Sequence, residues 1–334
     1  MKAAIVGCGA VGSFYGGLLH RTGVETHFLL RSDHATVAAQ GVRILSVQGD
    51  WHFRPHPARR PEEIGPCDLV MIALKATANP TAFPALLPPL IKSDTLVLTL
   101  QNGLGNVEAL AALAGPEKVL GGLCFVCLNR VAPGVIRHLA HGRMMLGEFQ
   151  RPALPRTRAL AARFQQAGVP CEVIDDLNLA LWKKLVWNIP FNGLGVAGAA
   201  GYEAVITGRW EPSQPLGPCL PTRALLEDSR WLALVRELML EVIGAARQLG
   251  LNIPEQWADE NIARTRVMGD YYASTLLDFA QGRPLELEAL FLEPWRRARA
   301  AGAECPRLTA LCQILRQLDA ARNATPPHPP SIPG

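Results

Sequence analysis

Short apolar runs alternate with helix-length stretches along the first half of the chain, and this alternation predicts a parallel sheet built from βαβ units. The runs Asp68–Leu74 and Thr95–Leu100 are apolar almost throughout, which is typical of strands covered on both faces. A small hairpin, Arg43–Ser46 with Trp51–Arg54, is predicted as an insertion in the sheet. The other predicted elements are strands at Lys2–Val6, Val24–Leu30, Val119–Val126, Val135–Leu139 and Met144–Gly147, and helices at Ser13–Thr22 and Thr157–Ala167.

From about Leu177 onward, helix-length patterns dominate and predict a mostly helical domain. The clearest pattern repeats about every 3.6 residues and ends at Gly250, a residue suited to a helix C-terminus. Its apolar positions are Trp231, Val235, Leu238, Val242, Ala245 and Leu249. A Gly/Pro-rich stretch, Glu211–Pro221, is predicted to be an exposed loop.

The predicted fold class is therefore α/β, with a Rossmann-type doubly wound sheet followed by a mostly α-helical domain. We predict an NADP-binding domain at 1–176 and a helical domain that binds substrate and carries catalysis at 177–324. The last ten residues, 325–334, contain five prolines and are predicted to be a disordered tail.

Composition excludes several classes of protein. Of the 334 residues, 49% are hydrophobic and 19% are charged, so the chain can bury sizeable cores. The net charge of +4 is too small for a nucleic-acid-binding surface, and no apolar run has the length of a membrane helix. The apolar run Ala3–Val6 is too short for a signal peptide, so we expect a cytoplasmic protein.

Eight cysteines in a chain of this length do not form a disulfide scaffold, and the one CxxC, Cys124–Cys127, lacks the second pair that zinc needs.

The strongest chemical signal is a GxGxxG motif that directly follows the first predicted strand and opens a helix. In such a turn the first glycine permits the sharp bend, the second lets the backbone approach a pyrophosphate, and the third allows strand and helix to pack closely. The helix N-terminus then faces the phosphates. The motif predicts a dinucleotide site formed by Gly7, Cys8, Gly9, Ala10, Val11 and Gly12.

Three further residues are predicted at the carboxyl ends of strands, where open α/β sheets bind ligands. Arg31 follows the second strand, at the position where NAD enzymes place a carboxylate for the ribose hydroxyls. Its guanidinium suits the additional 2′-phosphate of NADP, so NADPH is the predicted cofactor. Lys75 and Asn102 follow two other strands, and we expect them to contact the cofactor as well.

A second group of polar residues recurs every four positions in an apolar segment. Lys184, Asn188 and Asn192 would lie along one face of a helix, and polar groups in such surroundings need partners. Pro190 lies between the two asparagines, where it removes one helical hydrogen bond and is expected to kink the helix.

These motifs, in this order, resemble the ketopantoate reductase family over about Met1 to Leu315. The resemblance continues with Ser274 and, twelve residues later, with Glu286. Two departures are Phe291-Leu292, where the family usually has Asn-Gly, and the length of the Glu211–Pro221 loop. The matching segments are GCGAVG with Tyr15-Gly16, LKA at Leu74–Ala76, QNGLGN at Gln101–Asn106, K-x-x-x-N-x-x-x-N from Lys184, and YYASTLLDFAQGRPLELEAL around Ser274.

The resemblance implies NADPH-dependent reduction of 2-dehydropantoate (ketopantoate) to pantoate, or of a closely related 2-oxo acid, without a metal. It implies that Lys184 is the general acid and that Glu286 orients Lys184 or the substrate hydroxyl. The implied substrate-binding residues are Asn102, Lys184, Asn188, Asn192 and Ser274. The expected partner is a small-molecule 2-oxo acid, and a homodimer is left open.

Two other functions remain compatible with the sequence. One is a different 2-hydroxy acid or opine-type dehydrogenase on the same architecture. The other is a non-catalytic NADP-binding redox sensor, which needs only the glycine motif and leaves Lys184, Ser274 and Glu286 without a purpose.

Overall fold

The computed structural model describes residues 1–324, and the predicted tail at 325–334 lies outside these residues. The chain forms two compact units, Met1–Asn178 and the residues from Leu179 onward. Among the described residues, the first unit holds the β-sheet and the second is helical. The predicted fold class, a doubly wound sheet followed by a mostly helical region, is confirmed.

The first unit contains ten strands and six complete helices among the described residues. The strands are β1 (Lys2–Val6), β2 (Glu25–Leu29), β3 (Val42–Ser46), β4 (Trp51–Phe53), β5 (His56–Ala58), β6 (Leu69–Ile72), β7 (Leu96–Thr99), β8 (Val119–Ala132), β9 (Val135–Glu148) and β10 (Cys171–Ile174). The helices are α1 (Ala10–Arg21), α2 (His34–Gln40), α3 (Pro61–Ile64), α4 (Asn79–Leu86), α5 (Asn106–Ala114) and α6 (Pro155–Gln166).

The strand order is β4-β3-β9-β8-β7-β6-β1-β2-β5, and the six strands from β8 to β5 along it are parallel. The chain winds outward from β1 in both directions, so the strand order reverses beside β1, where doubly wound folds bind dinucleotides. Side chains of the central strands, such as Ile5 and Met71, are fully buried. Burial on both faces explains why these strands are apolar almost throughout.

The outer part of the sheet differs from the sequence prediction. The predicted strands Val135–Leu139 and Met144–Gly147 are one strand, β9, which pairs antiparallel with the equally long β8. Phe125 pairs with Arg143 and Val126 with His141, so the residue between them on β9 is an inserted bulge residue. The interruption in the apolar pattern is thus a bulge inside one strand. The predicted hairpin is confirmed as β3 paired antiparallel with β4.

The second unit consists of helices within the described residues, and its first long helix, α7, begins two residues before the unit boundary. A π-helical segment, Glu288–Leu292, directly precedes one of them. The helices are α7 (Leu177–Ala197), α8 (Tyr202–Thr207), α9 (Thr222–Glu227), α10 (Ser229–Gln248), α11 (Gln256–Arg266), α12 (Ser274–Ala280), α13 (Glu293–Ala300) and α14 (Pro306–Ala324).

The helix with the clearest apolar pattern is α10, and its ends follow from the sequence. The carboxylate of Asp228 accepts hydrogen bonds from the backbone N–H groups of Arg230 (2.8 Å) and Trp231 (3.3 Å) and so caps the N-terminus. Gly250, with a φ of 79°, follows the other end. The predicted apolar positions are buried except Leu249, which is 37% exposed because it lies at the C-cap, beyond the last helical turn.

Two features of the second unit concern the predicted site. Helix α7 runs without interruption through Pro190 to Ala197, so the proline does not end the helix before Asn192. The Glu211–Pro221 stretch forms no helix or strand, and its residues 211–218 are exposed, which confirms the predicted loop.

Candidate active site

The GxGxxG segment forms the turn between β1 and α1. Gly7 has a φ of 97°, and a Cβ at this position would collide with the backbone of Ala73 and Leu74. A Cβ on Gly12 would collide with the carbonyl oxygen of Gly7. Gly9 differs, because no atom lies within 4 Å of the place where its Cβ would be. The first and third glycines therefore permit close packing inside the protein, whereas the second leaves open space in front of the turn.

The other side chains of this turn point into the protein. The Cys8 thiol donates a hydrogen bond to the carbonyl oxygen of Ile5 (3.3 Å), and burial raises its pKa well above the usual value. The Ser13 hydroxyl donates to the carbonyl oxygen of Cys8 (3.1 Å). Helix α1 has no side-chain cap and no acidic residue in its first turn. The turn thus offers backbone N–H groups and a positive helix end, which suit a dinucleotide pyrophosphate.

The sheet register brings the predicted cofactor residues to one edge. Val6, at the end of β1, pairs with Leu29 of β2 and with Ile72 of β6, which in turn pairs with Thr99 of β7. The segments that follow these four strands carry Gly7, Arg31, Lys75 and Asn102. Arg31 and Lys75 are exposed, and Asn102 is half-buried. All four lie at the carboxyl edge of the parallel strands, near the position beside β1 where the strand order reverses.

A network of carboxamides, which the sequence analysis missed, fixes the loop that carries Asn102. Gln101 donates hydrogen bonds to the side-chain oxygen of Asn79 (2.7 Å) and to the carbonyl oxygen of Leu74 (2.9 Å). Asn79 donates to Asn106 (2.8 Å), which donates to the carbonyl oxygen of Asn102 (2.9 Å). The network joins the loops after β6 and β7. The QNGLGN motif contains Gln101, Asn102 and Asn106 but not Asn79, which lies 22 residues before Gln101.

Asp33 is a second residue that the sequence analysis missed. It lies two positions after Arg31, and its side chain is 9% exposed. The carboxylate accepts hydrogen bonds from the guanidinium of Arg130, the N–H of Gly134 and the hydroxyl of Ser32. Burial by itself would raise the pKa of Asp33, but these donors outweigh it and hold the pKa below its usual value.

In the second unit, helix α7 carries Lys184, Asn188 and Asn192. Asn188 is 6% exposed, and its carboxamide makes no hydrogen bond within the described residues 1–324. The carboxamide atoms of Asn188 still reach solvent, so they can bind a polar group of a ligand. Lys184 is half-buried.

Asn192 is hydrogen-bonded through both ends of its carboxamide within its own unit. Its Nδ2 donates to the carbonyl oxygen of Asn188 (3.0 Å), and its Oδ1 accepts from the Ser274 hydroxyl (3.3 Å) and the Thr275 N–H (3.1 Å). The residue is 3% exposed. It therefore joins α7 to the first residues of α12 and fixes the position of Ser274.

The rotation of α7 is set by two tryptophans. Trp257 Nε1 donates to the carbonyl oxygen of Lys183 (3.1 Å), and the Lys183 ammonium lies 5.5 Å from the Trp257 ring centroid. Trp187 Nε1 donates to the Thr265 hydroxyl (2.9 Å). These contacts place Lys183 against α11 and distinguish it from the neighbouring Lys184.

Glu286 and its neighbour Glu288 differ in their surroundings. Glu286 is 5% exposed, whereas Glu288 is exposed and forms an ion pair with Arg296. Between them the chain enters the π-helical segment, a conformation that is frequent at functional sites. Among residues 1–324, no cluster of His, Cys, Asp or Glu has an arrangement suited to a metal, and no helix has the length and apolarity of a membrane span.

Comparison with known proteins agrees with this architecture. The family model described as "Ketopantoate reductase PanE/ApbA" matches residues 3–151, and the model of its C-terminal region matches 203–319. A 2-dehydropantoate 2-reductase of Nostoc sp. is 38% identical over 97% of both chains. The crystal structure of the Geobacter metallireducens 2-dehydropantoate 2-reductase superposes with a TM-score of 0.86 at 42% identity and covers 95% of this chain and 99% of its own. The corresponding Methylococcus capsulatus structure gives 0.85 at 31% identity, with 98% and 99% coverage. The chain therefore belongs to the ketopantoate reductase family.

Proposed function

We propose that this protein catalyses the NADPH-dependent reduction of 2-dehydropantoate to pantoate, or of a closely related 2-oxo acid. The observation that carries the proposal is the polar face of α7, on which a half-buried Lys184 precedes the carboxamide of the nearly buried Asn188 by four residues. Family membership supports the reaction, since its relatives in Nostoc and Geobacter bear the name 2-dehydropantoate 2-reductase.

The choice of NADPH rests on the loop after β2. Arg31 is exposed there and can pair with a 2′-phosphate. The one carboxylate of that loop, on Asp33, is occupied by donors from the protein, so no acidic group is left for the ribose hydroxyls of NADH. The first unit is accordingly the proposed cofactor-binding domain, with Lys75 and Asn102 as further contacts.

In the proposed reaction, the first unit would hold the nicotinamide cofactor, which when bound would supply the hydride for the carbonyl carbon of the substrate. Lys184 stabilises the negative charge that develops on the carbonyl oxygen and donates the proton that completes the hydroxyl group. Within the second unit, Asn188 and Ser274 bind the carboxylate and hydroxyl groups of the substrate. Asn192 contributes by holding Ser274, and Glu286 keeps the Lys184 ammonium in position.

The deciding experiment is a steady-state assay of the purified chain with NADPH and a panel of 2-oxo acids, followed by the loss of NADPH absorbance. We expect the highest kcat/KM for 2-dehydropantoate or a close analogue, and weaker activity with NADH. A higher kcat/KM for another 2-oxo acid would favour the 2-hydroxy acid dehydrogenase alternative. NADPH binding without turnover of any acid would favour the redox sensor. The cytoplasmic location and self-association remain predictions.

A further inference from the structure

The loop after β2 contains an acidic residue, Asp33, two positions after Arg31, and its carboxylate is closed to ligands. Asp33 Oδ2 accepts from Arg130 Nε (3.0 Å) and from the N–H of Gly134 (3.0 Å). Asp33 Oδ1 accepts from the Ser32 hydroxyl (2.9 Å) and from Arg130 Nη2. A carboxylate has about four acceptor positions, and all are used within the protein.

Apart from the Ser32 hydroxyl, the donors come from the end of β8 and the turn that follows it, about 100 positions away in sequence. Arg130 lies near the end of β8, next to an irregularity in the strand register between Arg130 and Ala132. Bulges of this kind redirect a side chain out of the regular alternation. Gly134, with a φ of 67°, forms the turn, and its carbonyl oxygen accepts a hydrogen bond from the N–H of Arg43. Both backbone groups of Gly134 are therefore hydrogen-bonded, the N–H to Asp33 and the carbonyl oxygen to Arg43, and these two bonds fix the hairpin turn.

We propose that Arg130 is a specificity-determining residue that acts through Asp33: by occupying and neutralising this carboxylate, it makes the loop after β2 selective for a 2′-phosphorylated adenosine. This inference rests on the proposed use of NADPH. An unpaired Asp33 would repel the 2′-phosphate that Arg31 attracts and would offer acceptors to the ribose hydroxyls of NADH. Removing Arg130 should therefore lower the preference for NADPH over NADH without any loss of a direct contact between Arg130 and the cofactor.

The test measures binding of two cofactor fragments, 2′,5′-ADP and 5′-AMP, to the full chain by calorimetry, so it does not depend on the oxo acid. The ratio of their dissociation constants reports recognition of the 2′-phosphate. The variants are Arg130→Met, Asp33→Asn, the double variant, and Arg31→Ala as the reference for loss of the direct contact. We expect Arg130→Met and Arg31→Ala each to reduce the preference for 2′,5′-ADP by about tenfold or more.

The double variant separates action through Asp33 from direct binding by Arg130. If Arg130 acts through Asp33, then Arg130→Met/Asp33→Asn regains most of the preference, because no carboxylate is left to expose. A double variant as unselective as Arg130→Met would overturn the proposal and assign Arg130 to the phosphate directly. An unchanged preference in Arg130→Met, or no preference in the unmodified protein, would overturn it as well.

Asp33→Asn alone keeps the proposal testable if Arg130→Met does not fold. It removes the negative charge and leaves the guanidinium, so the preference for 2′,5′-ADP should be kept or increased. A loss of preference in Asp33→Asn would contradict the proposal. Failure of the oxo acid assay together with the expected fragment ratios would reject the proposed reaction but not this role of Arg130.

Discussion

Asn192 on α7 accepts a hydrogen bond from the backbone N–H of Thr275, at the start of α12, over 3.1 Å. The two residues are 83 positions apart in sequence. The same oxygen also accepts from the Ser274 hydroxyl, so a single carboxamide sets the position of a candidate substrate-binding residue relative to Lys184 and Asn188 on α7. We therefore infer that Asn192 acts as a positioning residue for the proposed substrate contact Ser274.

Replacing Asn192 by Ala should lower kcat/KM for the oxo acid by about tenfold, mainly through KM, because Ser274 loses its anchor. The affinity for NADPH should be unchanged. Since the buried Thr275 N–H also loses its acceptor, we expect the free energy of unfolding to fall by about 1–3 kcal/mol. A double-mutant cycle with Ser274→Ala tests the mechanism, because residues that act as one unit give non-additive effects. Effects that multiply would instead assign Asn192 an independent contact with the substrate.

Lys184→Ala should lower kcat by about 100-fold or more, as expected for the loss of a proton donor, and leave NADPH binding nearly intact. The adjacent Lys183 is the matched control, because its ammonium lies against the Trp257 ring. Lys183→Ala should change kcat by no more than a few-fold. Stopped-flow or steady-state turnover with saturating NADPH measures both variants. Similar turnover in the two would remove Lys184 from the chemistry.

Glu286→Gln should lower kcat/KM and move the basic limb of its pH profile to lower pH. In the proposed site Glu286 favours the charged form of Lys184, so without the negative charge the lysine loses its proton more easily. Glu288→Gln is the control, since Glu288 is exposed and its partner is Arg296. It should shift neither quantity. Identical pH profiles for the two variants would show that Glu286 has no electrostatic role.

The Glu148 carboxylate at the end of β9 should make the stability of the first unit dependent on pH. It is buried and accepts from Arg156 Nε (3.0 Å) and Nη2 (2.6 Å) and from the Thr157 hydroxyl. Burial opposes ionisation, but these donors outweigh it and lower the pKa of Glu148. Its stabilising effect is therefore complete above the pKa of an unfolded glutamate, about 4.3, and is lost as the pH falls through the lower folded-state pKa.

Denaturant midpoints at neutral and acidic pH measure this dependence. We expect Glu148→Gln to be less stable than the unmodified protein at pH 7 and the difference to shrink as the pH falls through the folded-state pKa of Glu148. Arg156→Met leaves the buried carboxylate with the Thr157 hydroxyl and the more distant Arg151 (3.5 Å), and should cost about 3 kcal/mol. Arg158→Met, an exposed position on the same helix, should cost little. A difference between Glu148→Gln and the unmodified protein that does not vary with pH would contradict the assignment.

The sequence by itself determined the features that depend on neighbouring residues. The glycine turn after β1, the nearly continuous apolar central strands, the capped helix α10 and the helical spacing of Lys184 and Asn188 all follow from local sterics and periodicity. The motifs also suffice to recognise the family. Local patterns failed at the β9 bulge, where one inserted residue broke the apolar pattern of a single strand.

Only the tertiary structure decided which polar groups are available to ligands. No pattern in the sequence indicates that Asp33 is occupied, because its partner Arg130 is 97 positions away. The Asn192 side-chain oxygen, in turn, accepts from the N–H of Thr275, 83 positions away. Hydrogen bonds between distant segments have no periodicity, since they depend on how strands and helices pack. The sequence therefore supplies the candidate site residues. The contacts created by packing decide which of their polar groups are already hydrogen-bonded within the protein and which are open to a ligand.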